Sequence, residues 1–341
     1  MIDLFSDTTT RPTQEMRDAI ASAEVGDEQR GEDPNVLALI AETCEVLGKE
    51  AGLFLPSGTM CNLIAVKNHT QPGDTVFVGH NCHILRCETG AAAAVSGVVL
   101  DVVPSVDGRF SGQALQQTLF EANPYTPVPS LVCVEQTHNF AGGAIWPVEE
   151  LRRIREISLA NGLKVHMDGA RLFNAVVASG ISAKDYARLC DSVWVDFTKG
   201  LGAPLGAVLC GSKDFIERAR RYKHMFGGAL RQAGMMAAGC RYALKHHVQR
   251  LGEDHLRAQR LVGCLRSLPG FEVKQVDTNL IFFKPGNIPA AEFQARLKEQ
   301  GVLVSAVGEW VRAVTHLDVD DKDIEKTIRV LEGFFSTLTA Q

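Results

Sequence analysis

Two residues at the ends of predicted strands could do chemistry together. Asp168 follows the apolar run 163–167, and Lys199 follows the run 192–197. Ligands of open α/β sheets bind at the carboxyl ends of the strands. A lysine placed there can form a Schiff base with pyridoxal phosphate (PLP), and a carboxylate can keep the pyridine nitrogen of that cofactor protonated. Taken singly, a charged residue at a strand end is more often simply solvated. The two residues together favour a PLP-binding site.

The cofactor also carries a phosphate, and a turn of small residues could bind it. Ser57, Gly58 and Thr59 open a predicted helix, whose first N–H groups suit an anion. Ser and Thr are also favoured N-caps of any helix, so an ordinary cap remains an alternative. The glycine-rich segment 200–206 could instead suggest a dinucleotide loop, but a helix must follow such a loop, and here Pro204 leads into an apolar strand. The sequence therefore disfavours NAD.

The alternation of short apolar runs with amphipathic segments predicts the fold class. From about residue 51 it indicates an α/β fold with a mostly parallel sheet between helices. A helix is predicted over 148–161, where Leu151, Ile154 and Ile157 share one face and Asn161-Gly162 ends it. Strands are predicted at 75–78, 98–103, 131–134, 163–167, 192–197 and 205–210.

The pattern changes after the charged stretch 215–257. Strands at 271–273, 278–283 and 302–304, with a last helix at about 322–338, predict a second, smaller α/β domain. No linker rich in Pro or Ser marks the boundary. We therefore expect a continuous helix to join a large domain, with its N-terminal arm, at 1–245 to a small domain at 246–341.

Composition and charge limit the classes of function. The 341 residues carry a net charge of −5, which does not favour nucleic acid as a partner. The longest uncharged apolar stretch, 91–100, is shorter than the roughly 20 residues of a membrane-spanning helix, and no secretory signal is visible. We expect a cytoplasmic protein. The nine cysteines show no C-x-x-C spacing, so we predict no metal site and mostly buried free thiols.

Short motifs occur from one end of the chain to the other: Ser6-Asp-Thr, Gly31-Glu-Asp-Pro, Pro56-Ser-Gly-Thr, Glu135-Gln-Thr-His-Asn, Asp168-Gly-Ala-Arg, Lys199-Gly-Leu-Gly-Ala-Pro and Val311-Arg-Ala-Val-Thr-His. Their types and order resemble the low-specificity L-threonine aldolases. The resemblance implies the aspartate-aminotransferase fold (fold type I) and PLP as cofactor. It further implies a homotetramer built from dimers. The implied reaction is reversible cleavage of L-threonine, L-allo-threonine and related L-β-hydroxy-α-amino acids to glycine and an aldehyde.

The resemblance also implies roles for individual residues. Lys199 would carry the cofactor, Asp168 would contact its pyridine nitrogen, and His83 would stack on its ring. The further cofactor contacts would come from Ser57, Gly58, Thr59, Arg171 and Arg231, the last from the partner subunit. The substrate carboxylate would be held by Ser6, Arg171 and Arg312. His138 matches a second active-site histidine, and either His83 or His138 could be the base.

Other functions compete with this one. A PLP enzyme that eliminates at Cβ, a racemase or an aminotransferase could use the same scaffold, and a silent binding protein could retain the fold. The chain also departs from the family pattern at Phe5, Arg30, Leu85 and Cys87, where Arg, Tyr and aromatic residues are usual. One interpretation is drift in the wall of a low-specificity pocket. Alternatively, loss of aromatic bulk at Leu85 and Cys87 predicts better use of bulky substrates, whereas Arg30 would suit an anionic side chain.

Overall fold

A seven-stranded sheet forms the centre of the computed structural model, which describes residues 1–338. Its strands are β2 (Ala51–Leu55), β3 (Asp74–Gly79), β4 (Val99–Val103), β5 (Val128–Glu135), β6 (Lys164–Gly169), β7 (Ser192–Asp196) and β8 (Ala207–Gly211). They lie in the order β2-β8-β7-β6-β5-β3-β4. All neighbours pair parallel except β8, which runs antiparallel to both β7 and β2. The predicted mostly parallel α/β sheet is confirmed.

The strands are apolar because helices cover both faces of the sheet. The helices before the chain leaves this sheet are α1 (Gln14–Ala21), α2 (Pro34–Leu47), α3 (Gly58–His69), α4 (His83–Arg86), α5 (Gly112–Thr118), α6 (Val148–Ala160), α7 (Leu172–Ser179), α8 (Ala183–Ala187), α9 (Lys213–Met225) and α10 (Gly234–His246). Local sequence explains α2: Asp33 accepts from the N–H groups of Asn35 and Val36, Pro34 begins the helix, and Gly48 ends it in the left-handed region.

A four-stranded antiparallel sheet follows in the order β12-β13-β10-β9. Its strands are β9 (Phe271–Val273), β10 (Leu280–Pro285), β12 (Ser305–Val307) and β13 (Trp310–Val314); β1 (Ile2–Asp3) separately pairs parallel with β11 (Val302–Leu303). Helices α11 (Leu251–Ser267), α12 (Ala290–Glu299) and α13 (Asp321–Leu338) belong to this part. Ile2 and Leu4 pack in its core. The boundary between residues 245 and 246 stays a prediction.

The expected continuous helix between the two parts is wrong. Helix α10 ends at His246, and α11 begins only at Leu251. The turn between them is held by a tertiary contact, because the Nδ1 atom of His247 lies 2.6 Å from the carbonyl oxygen of Leu201. No Pro or Gly marks this break in the sequence. Within the described part of the chain, we find no helix with the length and apolarity needed to cross a membrane.

Candidate active site

The carboxyl edge of the large sheet borders a cavity of about 200 Å³. Strands β5, β6 and β7 deliver acidic side chains there: Glu135 and Asp168 are register partners, and Asp196 ends β7. Most of the predicted site residues line this cavity, namely Ser57, Gly58, Thr59, His83, Asp168, Arg171 and Lys199. Segments far apart in the chain therefore meet where an α/β sheet binds ligands.

Asp168 is almost completely buried, with 2% exposure, at the end of β6. One carboxylate oxygen accepts from the backbone N–H of Ala170 at 3.1 Å. The other accepts from the side-chain amide of Asn62 at 2.7 Å. Both donors fix the orientation of the carboxylate, which the sequence predicts to contact the pyridine nitrogen of the cofactor.

Lys199 lies in the turn that follows β7. Its Nζ atom is 3.5 Å from a carboxylate oxygen of Asp196 and 5.8 Å from the centre of the Trp194 ring. Its backbone carbonyl accepts from the hydroxyl of Thr10 at 2.6 Å, and Gly202, at φ +76°, allows the chain to turn back. The backbone of Lys199 is thus fixed, while its amine faces the cavity with only a long ionic contact.

Helix α3 points its N-terminus at the same cavity. Ser57 caps the helix through its side-chain oxygen, which accepts from the N–H of Met60 at 3.3 Å. Gly58 is required here for close packing, since an added Cβ would lie 2.1 Å from the Trp194 ring. Gly58 and Thr59 line the cavity, and N–H groups in a first helical turn have no helical acceptor. The turn suits a phosphate group.

His83 is held from both sides at the N-terminus of α4. Its backbone N–H donates to Glu135 at 2.8 Å, and its Nδ1 atom lies 2.8 Å from Oε1 of Glu88. Burial opposes protonation, but the hydrogen bond to Glu88 and the charges of Asp168, Glu88 and Glu135 outweigh it, so the pKa of His83 is raised. Burial in turn raises the pKa of Glu88. The Nε2 atom remains as the free nitrogen of the ring.

Arg171 uses much of its guanidinium group inside the protein. Its Nε and Nη2 atoms each donate to Asp7 at 2.7 Å, and its Nη1 atom lies 3.4 Å from the Asn139 side-chain oxygen. Burial opposes the charge on Asp7, but Arg171 outweighs it and holds the pKa of Asp7 far below its usual value. Ser6, just before Asp7, accepts from the backbone N–H and the hydroxyl of Thr8.

Arg312 has unused hydrogen-bonding capacity. Its Nη2 atom donates to the carbonyl of Phe5 at 3.2 Å, whereas its buried Nε atom has no hydrogen-bond partner among the described residues. Burial, and then the positive charge of Arg171, lower the pKa of Arg312, and Asp7 acts against them. A partly buried guanidinium with a free Nε donor beside another arginine can bind a carboxylate.

Comparison with known proteins gives the family. A family model described as "Beta-eliminating lyase" matches residues 3–286. The chain is 39% identical over 337 residues to the "Low specificity L-threonine aldolase" of Escherichia coli K12, covering 98% of this chain and 100% of the relative. It is 37% identical over 347 residues to the "Low-specificity L-threonine aldolase 1" of Arabidopsis thaliana, covering 99% of this chain and 97% of the relative. The chain belongs to the low-specificity L-threonine aldolase family.

Solved structures support the same fold. A threonine aldolase from Leishmania major superposes with a TM-score of 0.87 at 20% identity, covering 98% of this chain and 100% of that one. The structure of a putative L-allo-threonine aldolase from Listeria monocytogenes superposes with a TM-score of 0.81 at 21% identity, covering 97% of this chain and 96% of that one. The resemblance and fold type predicted from the motifs are confirmed.

Four predicted site residues do not line this cavity, namely Ser6, His138, Arg231 and Arg312. The His138 ring is fully buried, and neither ring nitrogen has a hydrogen-bond partner within residues 1–338. It packs against Gly108, where an added Cβ would lie 2.3 Å from its Nε2 atom. Arg231 is 63% exposed and pairs with Asp27 at 2.9 Å. Within one subunit, neither His138 nor Arg231 lines the cavity that Lys199 lines.

Several polar residues of the site were missed by the sequence analysis, although they lie within or beside the quoted motifs. Asp7 follows Ser6, Asn62 lies one helical turn after the capping residues, and Glu88 follows His83 by five positions. His83, Glu88 and Asp168 could bring ligand atoms within 4.8 Å of one another. Asn62, however, donates to one oxygen of each carboxylate. Hydrogen bonds from Asn62 thus already link the carboxylates of Glu88 and Asp168.

The positions that depart from the family pattern have different surroundings. Phe5 offers its carbonyl to Arg312, and Arg30 is 71% exposed beside Glu32. Leu85 packs on an apolar cluster that includes its neighbours along the chain. Cys87 is exposed, and its thiol is close enough to Arg312 for that charge to act on its pKa. Of these residues, Phe5 and Cys87 lie nearest to the candidate substrate arginine.

Proposed function

We propose that the chain is a PLP-dependent aldolase that cleaves L-threonine, L-allo-threonine and related L-β-hydroxy-α-amino acids to glycine and an aldehyde, reversibly. One observation carries this proposal: Lys199, Asp168 and the N-terminus of α3 converge on one cavity. The names of the relatives supply the reaction, since their matches span nearly the whole chain.

The side chains around the cavity fit PLP by their chemistry. Lys199 offers an amine without a close ion pair, Asp168 offers a carboxylate fixed by amide donors, and α3 offers N–H groups for a phosphate. His83 places a flat ring at the same cavity. We infer that Ser57, Gly58 and Thr59 would hold the phosphate of the cofactor and that the amine of Lys199 would hold the cofactor covalently.

Bound PLP would supply one chemical property, the withdrawal of electrons from Cα of the amino acid. The residues around it choose which bond breaks. Arg312, with its free Nε atom, would bind the substrate carboxylate; Arg171 and Ser6 would support it from the same side. A fixed carboxylate fixes the rotation about Cα, so the Cα–Cβ bond can be presented for cleavage.

The proton of the β-hydroxyl needs an acceptor. His83 donates through Nδ1 to Glu88, which leaves Nε2 free to accept that proton. His138 is less suitable within one subunit, because its ring is fully buried and does not line the cavity. We therefore assign the base to His83 and keep His138 as a support of the loop between β5 and α6.

Product analysis tests this function. The purified protein should release glycine and acetaldehyde from L-threonine and L-allo-threonine, and Lys199→Ala should release neither. The visible absorbance of the unsubstituted protein should change when glycine is added. Ammonia and a keto acid in place of glycine would show a β-eliminating enzyme instead. Lys213→Ala, a change in α9 away from the cavity, is the matched control.

We also propose a homotetramer formed from dimers, with Arg231 reaching the phosphate in a neighbouring subunit. Arg231 is exposed in one subunit and does not line its cavity, which supports this placement. Light scattering coupled to size exclusion measures the assembly, and a monomer with full activity would exclude it. A cytoplasmic location likewise remains our proposal.

A further inference from the structure

Asn62 is a fully buried residue of α3 whose side-chain orientation is fixed by its neighbours. Its oxygen accepts from Nε1 of Trp194 at 2.7 Å. Because an indole N–H can only donate, the amide oxygen must face Trp194. The amide nitrogen then faces the cavity side, where it lies 2.7 Å from both Asp168 Oδ2 and Glu88 Oε1.

The orientation of Asn62 fixes the hydrogen positions of the residues behind it. The Asn62 oxygen also lies 3.1 Å from Nε2 of His166, so that nitrogen must carry a hydrogen. Nδ1 of His166 is then an acceptor, and Ser192 Oγ, at 2.8 Å, donates to it. Nε2 of His69 lies 2.8 Å from the same serine oxygen and donates in turn, since the only hydroxyl hydrogen is already used.

The fold explains why these residues meet. Asn62 and His69 both lie on α3, at the spacing of two helical turns, and so share one face. His166 and Ser192 are register partners on the neighbouring parallel strands β6 and β7. Where α3 packs over these strands, the line of hydrogen bonds runs from the helix to the two strands and back to the helix.

We propose that Asn62, His166 and Ser192 are positioning residues that form a hydrogen-bond chain with one direction. Each donor in it points towards the site, from His69 through Ser192 and His166 to Asn62, and finally to Asp168 and Glu88. The chain keeps both carboxylates as acceptors. Asp168 is thereby oriented as an acceptor towards the ring nitrogen, which rests on the proposed function, and Glu88 keeps the hydrogen of His83 on Nδ1.

The histidines in this chain order hydrogen atoms without carrying charge. Burial lowers the pKa of His166 to about 3 and that of His69 to about 4, so both are neutral at physiological pH. Successive hydrogen bonds in a buried chain polarise one another and strengthen the last donor. The charge of Asp168 also acts on His83, on Glu88 and on the thiols of Cys61, Cys82 and Cys133. Burial raises the pKa of these three thiols.

Neutron diffraction from the deuterated protein as purified tests the direction of the chain. We expect deuterium on Nε2 of both His166 and His69, and the Ser192 hydroxyl directed at Nδ1 of His166. Deuterium on Nδ1 of His166 would overturn the proposal. This result does not depend on the reaction, so a protein that forms no glycine would refute the proposed function and leave this test intact.

Substitution of Ser192 tests whether the chain matters to the site. Ser192→Ala should lower kcat about tenfold with little change in KM, and should shift the pH dependence of the bound cofactor's absorbance by about half a unit or more. Ser192→Thr, which keeps the hydroxyl, should restore both. The matched control is Ser158→Ala, because Ser158 is equally buried and its hydroxyl has no partner among the described residues.

Two outcomes of this comparison are decisive. Unchanged kcat and an unchanged absorbance profile in Ser192→Ala would overturn the proposal. Equal losses in Ser192→Ala and Ser158→Ala would also overturn it, since they would show only the cost of a buried hydroxyl. Thermal unfolding of each variant separates either result from a loss of folded protein, and Asn62→Ala should reproduce the spectral shift more strongly than Ser192→Ala.

Discussion

Arg171 and Asp7 form a buried bidentate ion pair, with Nε and Nη2 each 2.7 Å from a carboxylate oxygen. The residues come from α7's N-terminus and from the turn that follows β1. Asp7 is fully buried, and Arg171 is 6% exposed. The pair fixes the plane of the guanidinium group, so that only Nη1 remains for the cavity or for Asn139.

Asp7→Asn should destabilise the protein, because it leaves the charge of Arg171 buried without a counterion. We expect a loss on the order of 3 kcal/mol in the free energy of unfolding, measured by denaturant titration. Asp27→Asn, which removes the partner of the exposed Arg231, should change stability little. Equal losses of unfolding free energy in the two variants would show that burial of the ion pair does not determine its contribution to stability.

The same pair predicts a dependence of stability on pH. The pKa of Asp7 is lower in the folded state than in the unfolded chain. Its contribution is therefore complete above the unfolded pKa of about 3.9 and declines as the pH falls towards the folded value. Asp7→Asn should lose this part of the acid sensitivity, which thermal unfolding measured between neutral and acidic pH would reveal.

Arg312→Ala should weaken substrate binding while leaving the cofactor in place. Loss of a charge-assisted contact costs about 2 to 3 kcal/mol, so KM should rise about 30- to 150-fold. Arg11→Ala is the control, since the Arg11 side chain is 79% exposed and, among the described residues, makes only a long ionic contact of 3.7 Å with Asp318. An unaltered KM for L-threonine in Arg312→Ala would place the substrate carboxylate elsewhere.

Glu88→Gln should shift the acidic limb of the activity profile. His83 acts as a base only when unprotonated, and Glu88 raises its pKa against the opposing effect of burial. Removing the carboxylate therefore lowers the pKa of His83 and moves the rise of kcat/KM to lower pH. Glu309→Gln, at an exposed site, should leave the limb in place. A limb that stays fixed in Glu88→Gln would show that another group titrates.

Cys87→Phe should reduce the use of bulky substrates. Cys87 is exposed and lies within electrostatic reach of Arg312. Added bulk there should lower kcat/KM for phenylserine relative to L-threonine, by about 1 to 3 kcal/mol in transition-state binding. Leu85→Tyr and the substrate 3-hydroxyaspartate extend the comparison to the other departures, including Arg30. Unchanged ratios among the three substrates would show that these positions do not set specificity.

The ends of the strands that carry the site could be predicted from the sequence. Asp168 and Lys199 follow apolar runs whose limits differ from the observed strands by only a residue or two. The capping segment at Ser57 also opens a helix as predicted. These features depend on local patterns, namely buried strands, small turn residues and a helix cap.

The hydrogen-bond partners inside the site could not be predicted in the same way. Asn62 binds residues that lie 26, 104, 106 and 132 positions along the chain. A single Asn in an apolar helix carries no signal for such partners. The reversed direction of β8 and the break after His246 have the same origin, because each is decided by packing against distant segments.

The pairing of β1 with β11 has a consequence for the timing of synthesis. Ile2 and Asp3 lie beside Val302 and Leu303, and the carbonyl of Leu4 accepts from the N–H of Val314. The ribosome makes these partners roughly 300 residues after it makes the first strand. A nascent chain can build its large sheet early. It can bring Arg312 beside Asp7 and Arg171 only after roughly 300 further residues have been made, so a nascent chain that stops before β13 lacks the proposed substrate arginine.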